Sequence, residues 1–196
     1  MIIKTDYTHS PKKRAVQSLV FKQAINGKNK LIGLAGPNIN NYLKFIKQMG
    51  IQVVDIYESH PMQLLLQILD YKASFNVKTR VQHADIYNAP ANEKDTLYDL
   101  DFDCSILLVK KHIKKFIENS IITLAIRPVG VQKTLSIFSK LVSRDKPLIE
   151  LNVQNTKDYT LHKVVFPSKT YLCYQYRDKS NMITITRQNF RDEKND

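Results

Sequence analysis

A chain of 196 residues with 43% hydrophobic content has enough apolar material for one core of ordinary size, without help from disulfides or a structural metal. Thirty Lys and Arg against eighteen Asp and Glu leave a formal net charge of +12, a surplus that draws polyanions and suits a nucleic-acid partner. Cys104 and Cys173 stand apart, which argues against a disulfide framework and a zinc site. No apolar run approaches the roughly 20 residues of a membrane span, and no secretory signal pattern opens the chain, so a cytoplasmic protein is expected.

Ser10-Pro11 places an N-cap residue before a proline at the first helical position and predicts a helix that Gly27 can end, with Ala15, Leu19 and Ala24 on its apolar side. Lys12, Lys13 and Arg14 make its start basic. From Leu31 onward short apolar runs alternate with amphipathic stretches of helical length, the mark of repeated βαβ units around a parallel sheet. Strands are predicted at 31–36, 51–57, 77–83, 98–104 and 121–126. Helix faces follow in Ile39, Leu43 and Ile46; in Met62, Leu65, Leu66 and Leu69; in Ile106, Val109, Ile113, Phe116 and Ile117; and in Val131, Leu135, Phe138 and Val142. Beyond Pro147 the period shifts toward two, with strands predicted at 161–166, 171–177 and 182–187. The expected architecture is a single domain, 1–196. It comprises a basic helical extension (1–29), an α/β core (30–190) and a charged, frayed tail (191–196).

In open α/β sheets ligands bind beyond the carboxyl ends of the strands, so the residues just after each strand carry the functional signal. After the first comes Gly33-Leu34-Ala35-Gly36-Pro37-Asn38, in which small residues let backbone approach a ligand and Asn38 tolerates a left-handed conformation. Asp55 and Glu58 follow the second strand, Asp85 the third, and Asp99, Asp101 and Asp103 surround the fourth. His60 and His83 stand near strand ends without a visible partner, and lone histidines are usually structural. Tyr7, Tyr57, Tyr87 and Tyr98 could stack on a base or serve as core and rim residues.

Through the loop 33–38, the acid at 58, the Ala84-Asp85 pair and the Asp101 strand, the chain resembles the class I S-adenosylmethionine-dependent methyltransferases over roughly residues 30–190. The resemblance implies a Rossmann-like, mainly parallel sheet with helices on both faces and an antiparallel C-terminal hairpin. It implies S-adenosylmethionine as cofactor, with Gly33, Ala35, Gly36 and Asn38 lining it, Glu58 on the ribose and Asp85 on the adenine. Asp101 and Asp103 would then act on the acceptor. The loop departs from the family pattern: Leu31-Ile32-Gly33 lacks an acid, and Asn38 stands where a glycine is common.

Lys110, Lys111, Lys114 and Lys115, with Lys12, Lys13 and Arg14, could contact phosphates; the alternative is a solvated lysine face. The expected function is a methyltransferase acting on nucleic acid. The alternative, favoured by the altered loop, is a fold that no longer catalyses and serves as a nucleic-acid-binding or assembly module. A dinucleotide or nucleotide enzyme ranks last, because neither Gly-x-Gly-x-x-Gly nor a phosphate-loop Gly-Lys-Ser/Thr occurs.

Overall fold

The computed structural model describes residues 10–36, 38–71, 76–91, 93–102, 104–178 and 180–188. Asp103, Tyr7 and the tail 191–196 lie outside the described residues. Two compact units are formed: residues 27–99 make one, and residues 10–26 with 100–188 make the other.

The first unit is parallel. Strands β1 (Lys30–Gly33), β2 (Val53–Glu58), β3 (Lys78–His83) and β4 (Thr96–Asp101) lie in the order β3-β2-β1-β4, and the last two residues of β4 pass into the second unit. Leu31, Ile32, Val54, Ile56, Leu97 and Tyr98 are buried, as runs of apolar residues in a parallel sheet covered by helices should be. Helix α1 (Pro11–Ile25) precedes this unit in sequence; α2 (Ile39–Gln48) and α3 (Pro61–Asp70) lie within it. α2 turns Ile39, Leu43 and Ile46 inward, each side chain contributing on the order of 2 kcal/mol, and stops before Gly50, whose φ of 80° no β-branched side chain would accept.

α3 is turned the other way. Of its predicted stripe, Met62, Leu65 and Leu69 face outward together with Ile68 and only Leu66 is half-buried; Leu69 is 74% exposed, while Gln67 is the one residue of the helix that is fully buried. The helix is tied to α2 by polar groups: Asn40 donates from its backbone to Asp70 Oδ2 at 3.3 Å and from its side-chain amide to the Asp70 carbonyl.

The second unit is antiparallel. After α4 (Ile106–Ile113) and a 3-10 turn (Lys114–Asn119) come β5 (Ser120–Ala125), α5 (Val131–Val142), β6 (Leu148–Asn155), β7 (Thr160–Phe166), β8 (Lys169–Arg177) and β9 (Asn181–Arg187). The order is β5-β9-β8-β7-β6. The expected antiparallel close is therefore present and is extended by β6.

Helices cover both faces of this sheet. Alternate residues of β8 point to opposite sides. Tyr171 meets Phe138 of α5 edge-on at 5.1 Å between ring centres, whereas Tyr174 donates from its hydroxyl to Gln23 Oε1 of α1 at 2.9 Å. α1 begins as predicted, with Ser10 Oγ accepting from Lys13 N at 3.2 Å and Pro11 at its first position. Its buried face is Val16, Val20, Phe21 and Ala24, and Ala15, expected there, is exposed. The misreading has a physical cause: the buried stripe also contains Lys13, which hydropathy assigns to solvent.

β6 holds to β7 through a bulge. The register shifts between Glu150 and Gln154, Asn152 adopts a φ of 56°, and buried His162 accepts from Asn152 N at 2.9 Å through Nδ1. Its Nε2 therefore carries the proton and donates to Gln175 Oε1 at 2.8 Å. Among the described residues, no helix is long and apolar enough to cross a membrane.

Candidate functional site

Because β1 to β3 run parallel, their carboxyl ends reach one edge of the first unit, and the predicted ligand-binding residues collect there. The glycines of the first loop do different work. Gly33 is paired with Ile56 on one side and Asp99 on the other, and a Cβ on it would lie 2.9 Å from both the Asp99 carbonyl oxygen and the Tyr42 hydroxyl. The space beside it is filled by the protein, where Tyr42 donates to Asp99 Oδ2 at 2.9 Å. Gly36 is the opposite case, with a φ of 63° and nothing within 4 Å of where a Cβ would stand.

The left-handed turn of this loop is thus at Gly36 and not at Asn38. Asn38 has a φ of −95° and caps α2, its side-chain oxygen accepting from Asn41 N at 3.2 Å. Ala35 is half-buried between the two glycines.

Glu58 ends β2, in register with His83. Its Oε1 accepts from His60 N at 2.7 Å, which orients the carboxylate at the start of α3. Gln67 of α3 bridges it to the loop: its Nε2 donates to the Gly36 carbonyl at 2.8 Å and lies 3.4 Å from Glu58 Oε2. Asp85 follows β3, is exposed, and caps the 3-10 turn Ile86–Asn88 by accepting from Tyr87 N at 3.0 Å.

Asp55 does not share this edge's chemistry. It is buried within β2, chelated by Arg80 through bonds of 3.1 and 2.9 Å, with Lys30 at 3.4 Å. Burial works against the charged Lys30 ammonium, but its hydrogen bond to Glu93 and the charges of Glu93 and Asp55 outweigh that and hold its pKa above the ordinary value. The hydrogen bond and charge of Asp55 likewise raise that of Arg80. This is an ion network that offsets a buried carboxylate.

In the second unit, Asp101 is paired with Lys13 of α1 at 2.8 Å, and its Oδ1 is a buried oxygen with no hydrogen-bond partner among the described residues. Burial, followed by the Asp101 charge, pushes the Tyr176 hydroxyl pKa well up. Lys13 is therefore committed inward and is not available to a phosphate, whereas Lys12 and Arg14 beside it are exposed. Lys110, Lys111, Lys114 and Lys115 are all exposed on α4 and the turn after it, Lys115 lying 4.6 Å over the Phe116 ring. α4 packs beside α5, on the side of the antiparallel sheet opposite α1, so the predicted basic residues fall into two groups and not one. Among the described residues no His, Cys, Asp or Glu cluster could hold a metal ion.

Sequence reasoning missed Gln67 and the Tyr42–Asp99 and Lys13–Asp101 pairs. A glutamine in a leucine-rich helix and a lysine in an otherwise apolar stripe were the available signals.

No protein-family model matches the chain, and no curated protein is similar to it in sequence. Solved structures are similar in fold. A precorrin-6y C5,15-methyltransferase from Geobacter metallireducens superposes with a TM-score of 0.51 at 13% identity, over 94% of this chain and 93% of that one. A putative RNA methyltransferase from Pyrococcus horikoshii gives 0.51 at 14% identity, over 88% and 80%. The tRNA m1G37 methyltransferase of M. jannaschii gives 0.51 at 10% identity, over 92% of this chain and 51% of its own.

Proposed function

We propose that this chain, whose fold is that of the class I S-adenosylmethionine-dependent methyltransferases, binds that cofactor at the strand-end edge of the first unit and methylates a nucleic acid, RNA before DNA. The observation that carries the reading is the shared edge of Gly36, Glu58 and Asp85 beyond three parallel strands. The donor chemistry fits. A ribose diol needs a carboxylate with lone pairs to spare, and Glu58 has two oxygens that each accept more than one bond. An adenine amine needs an exposed acceptor, and Asp85 uses only Oδ1 in its turn. Gly36 leaves open space for the amino-acid part. When bound, the cofactor supplies an activated methyl group on sulfur.

The protein's contribution is alignment and charge. Glu58 and Asp85 would hold the nucleoside, and Gly36 would let backbone approach the ligand. Asp101 and Asp103 would orient the acceptor, with Lys12, Arg14 and the lysines of α4 on phosphates. Among the similar folds, a tRNA methyltransferase and a protein described as a putative RNA methyltransferase support an RNA acceptor. Calorimetric titration with S-adenosylmethionine and S-adenosylhomocysteine tests the reading: Glu58→Ala and Asp85→Ala should each weaken binding while the protein stays folded, and unchanged affinity in both would overturn it.

A second reading is favoured by the Lys13–Asp101 pair, which occupies the acid at the end of β4. The fold would then be retained as a nucleic-acid-binding or assembly module. Salt-sensitive RNA binding with no cofactor affinity would select it.

A further inference from the structure

We infer that Gln67 is a positioning residue that couples the ribose-binding acid to the loop beneath the rest of the cofactor, so that the edge recognises an adenine ribonucleoside as one unit; this rests on the reading of that edge as a cofactor site. α3 turns Met62, Leu65, Ile68 and Leu69 to water, leaves Leu64 and Leu66 half-buried, and fully buries an amide instead. Gln67 is 0% exposed, and its Oε1 has no hydrogen-bond partner among the described residues. Burying an amide with an unmet acceptor is unfavourable, and a leucine or methionine would fill the same space without that cost. What the amide contributes, and they would not, is its pair of N–H donors at a single nitrogen.

These donors face two different parts of the edge. One bond of 2.8 Å fixes the carbonyl of Gly36, the residue in the left-handed turn; the other contact, at 3.4 Å, reaches Glu58 Oε2. With His60 N on Oε1 at 2.7 Å, the Glu58 carboxylate is held at both oxygens, so its plane is set before any ligand arrives. A carboxylate fixed in that way binds a vicinal diol without first losing rotamer freedom, and the same amide keeps the Gly36 turn from drifting. Gln67 touches no ligand in this scheme and acts through Glu58 and Gly36.

The test compares full-length wild type, Gln67→Leu and Glu58→Gln by calorimetry with S-adenosylhomocysteine, adenosine and 2′-deoxyadenosine. Thermal melts check that each is folded. Wild type should prefer adenosine over 2′-deoxyadenosine, and Gln67→Leu should lose about tenfold of that preference, the size of one hydrogen bond to a charged group. In the double variant the losses should not add, because both act on one carboxylate.

An equal weakening for both nucleosides, or additive losses, overturns the inference and leaves Gln67 an anchor of α3, with the cofactor reading intact. No binding of S-adenosylhomocysteine by wild type overturns the cofactor reading and the inference with it. Should Gln67→Leu fail to fold, Gln67→Asn, an amide one methylene short of both acceptors, is expected to lose the same preference.

Discussion

Lys13 and Asp101 form an ion pair of 2.8 Å with side chains only 6% and 16% exposed, so two opposite charges face each other largely out of water. Removing one partner strands the other. Lys13→Met is expected to destabilise the protein by about 3 kcal/mol, while Lys13→Met with Asp101→Leu should recover most of that loss. Urea denaturation of the single and double variants measures the difference, and a double variant no better than the single would show that the pair is not what stabilises this corner.

Gly33 has no room for a methyl group, because a Cβ there would lie 2.9 Å from a backbone carbonyl as well as from the Tyr42 hydroxyl. Gly33→Ala should therefore cost about 2 kcal/mol and lower the melting temperature by roughly 4–8 °C. Tyr42→Phe should not rescue it, since the Asp99 carbonyl remains. A melt within a degree of wild type would mean that β1 and β4 can part more easily than their register implies.

Alkali should unfold the second unit. Burial, opposed by the hydrogen bond to Gln23, pushes the Tyr174 hydroxyl up to about 12, and burial pushes Tyr171, Tyr176 and the Cys173 thiol up in the same direction. Unfolded tyrosines ionise near 10, so the unfolded state releases its protons first. The stability that comes from the tyrosines is then fully present below pH about 10, that from the thiol below pH about 9, and both are lost as pH rises toward the folded values. Absorbance at the phenolate band, followed with circular dichroism, should show these tyrosines ionising only together with loss of structure. Ionisation of these tyrosines with a midpoint near pH about 10 in a still-folded protein would contradict their burial.

Outward-facing leucines should tolerate charge. Leu69→Lys is expected to change stability by no more than about 0.5 kcal/mol, as for any exposed site. A loss of several times that size in a chemical melt would show that this face of α3 is covered in solution.

The sequence made most elements legible because βαβ alternation and turn chemistry are local. β6 was not, although Ile149, Leu151 and Val153 alternate with Glu150, Asn152 and Gln154: it is an edge strand in which Leu151 and Val153 stay exposed, so its alternation marks no core face. α3 was predicted as a helix but with the wrong face inward, since hydropathy cannot know that a buried amide will be retained between Gly36 and Glu58. Of the candidate site, the edge carrying Gly36, Glu58 and Asp85 was readable from strand-end position alone. Lys13 was not, because its partner Asp101 lies far along the chain and reverses the meaning of its charge. Asn38 also caps α2 and Gly33 also lets β1 lie close to β4, packing roles that strand-end position does not reveal.

The second unit draws its first helix from the start of the chain and its sheet from the end. Gln23 and Tyr174, which bond across it, are 151 residues apart. At a synthesis rate of roughly 5–20 residues per second, α1 leaves the ribosome on the order of ten seconds before the strand it packs against exists. During that interval Val16, Val20 and Phe21 lack the strands that cover them in the finished unit, so this helix waits with its apolar face open until the antiparallel sheet is made.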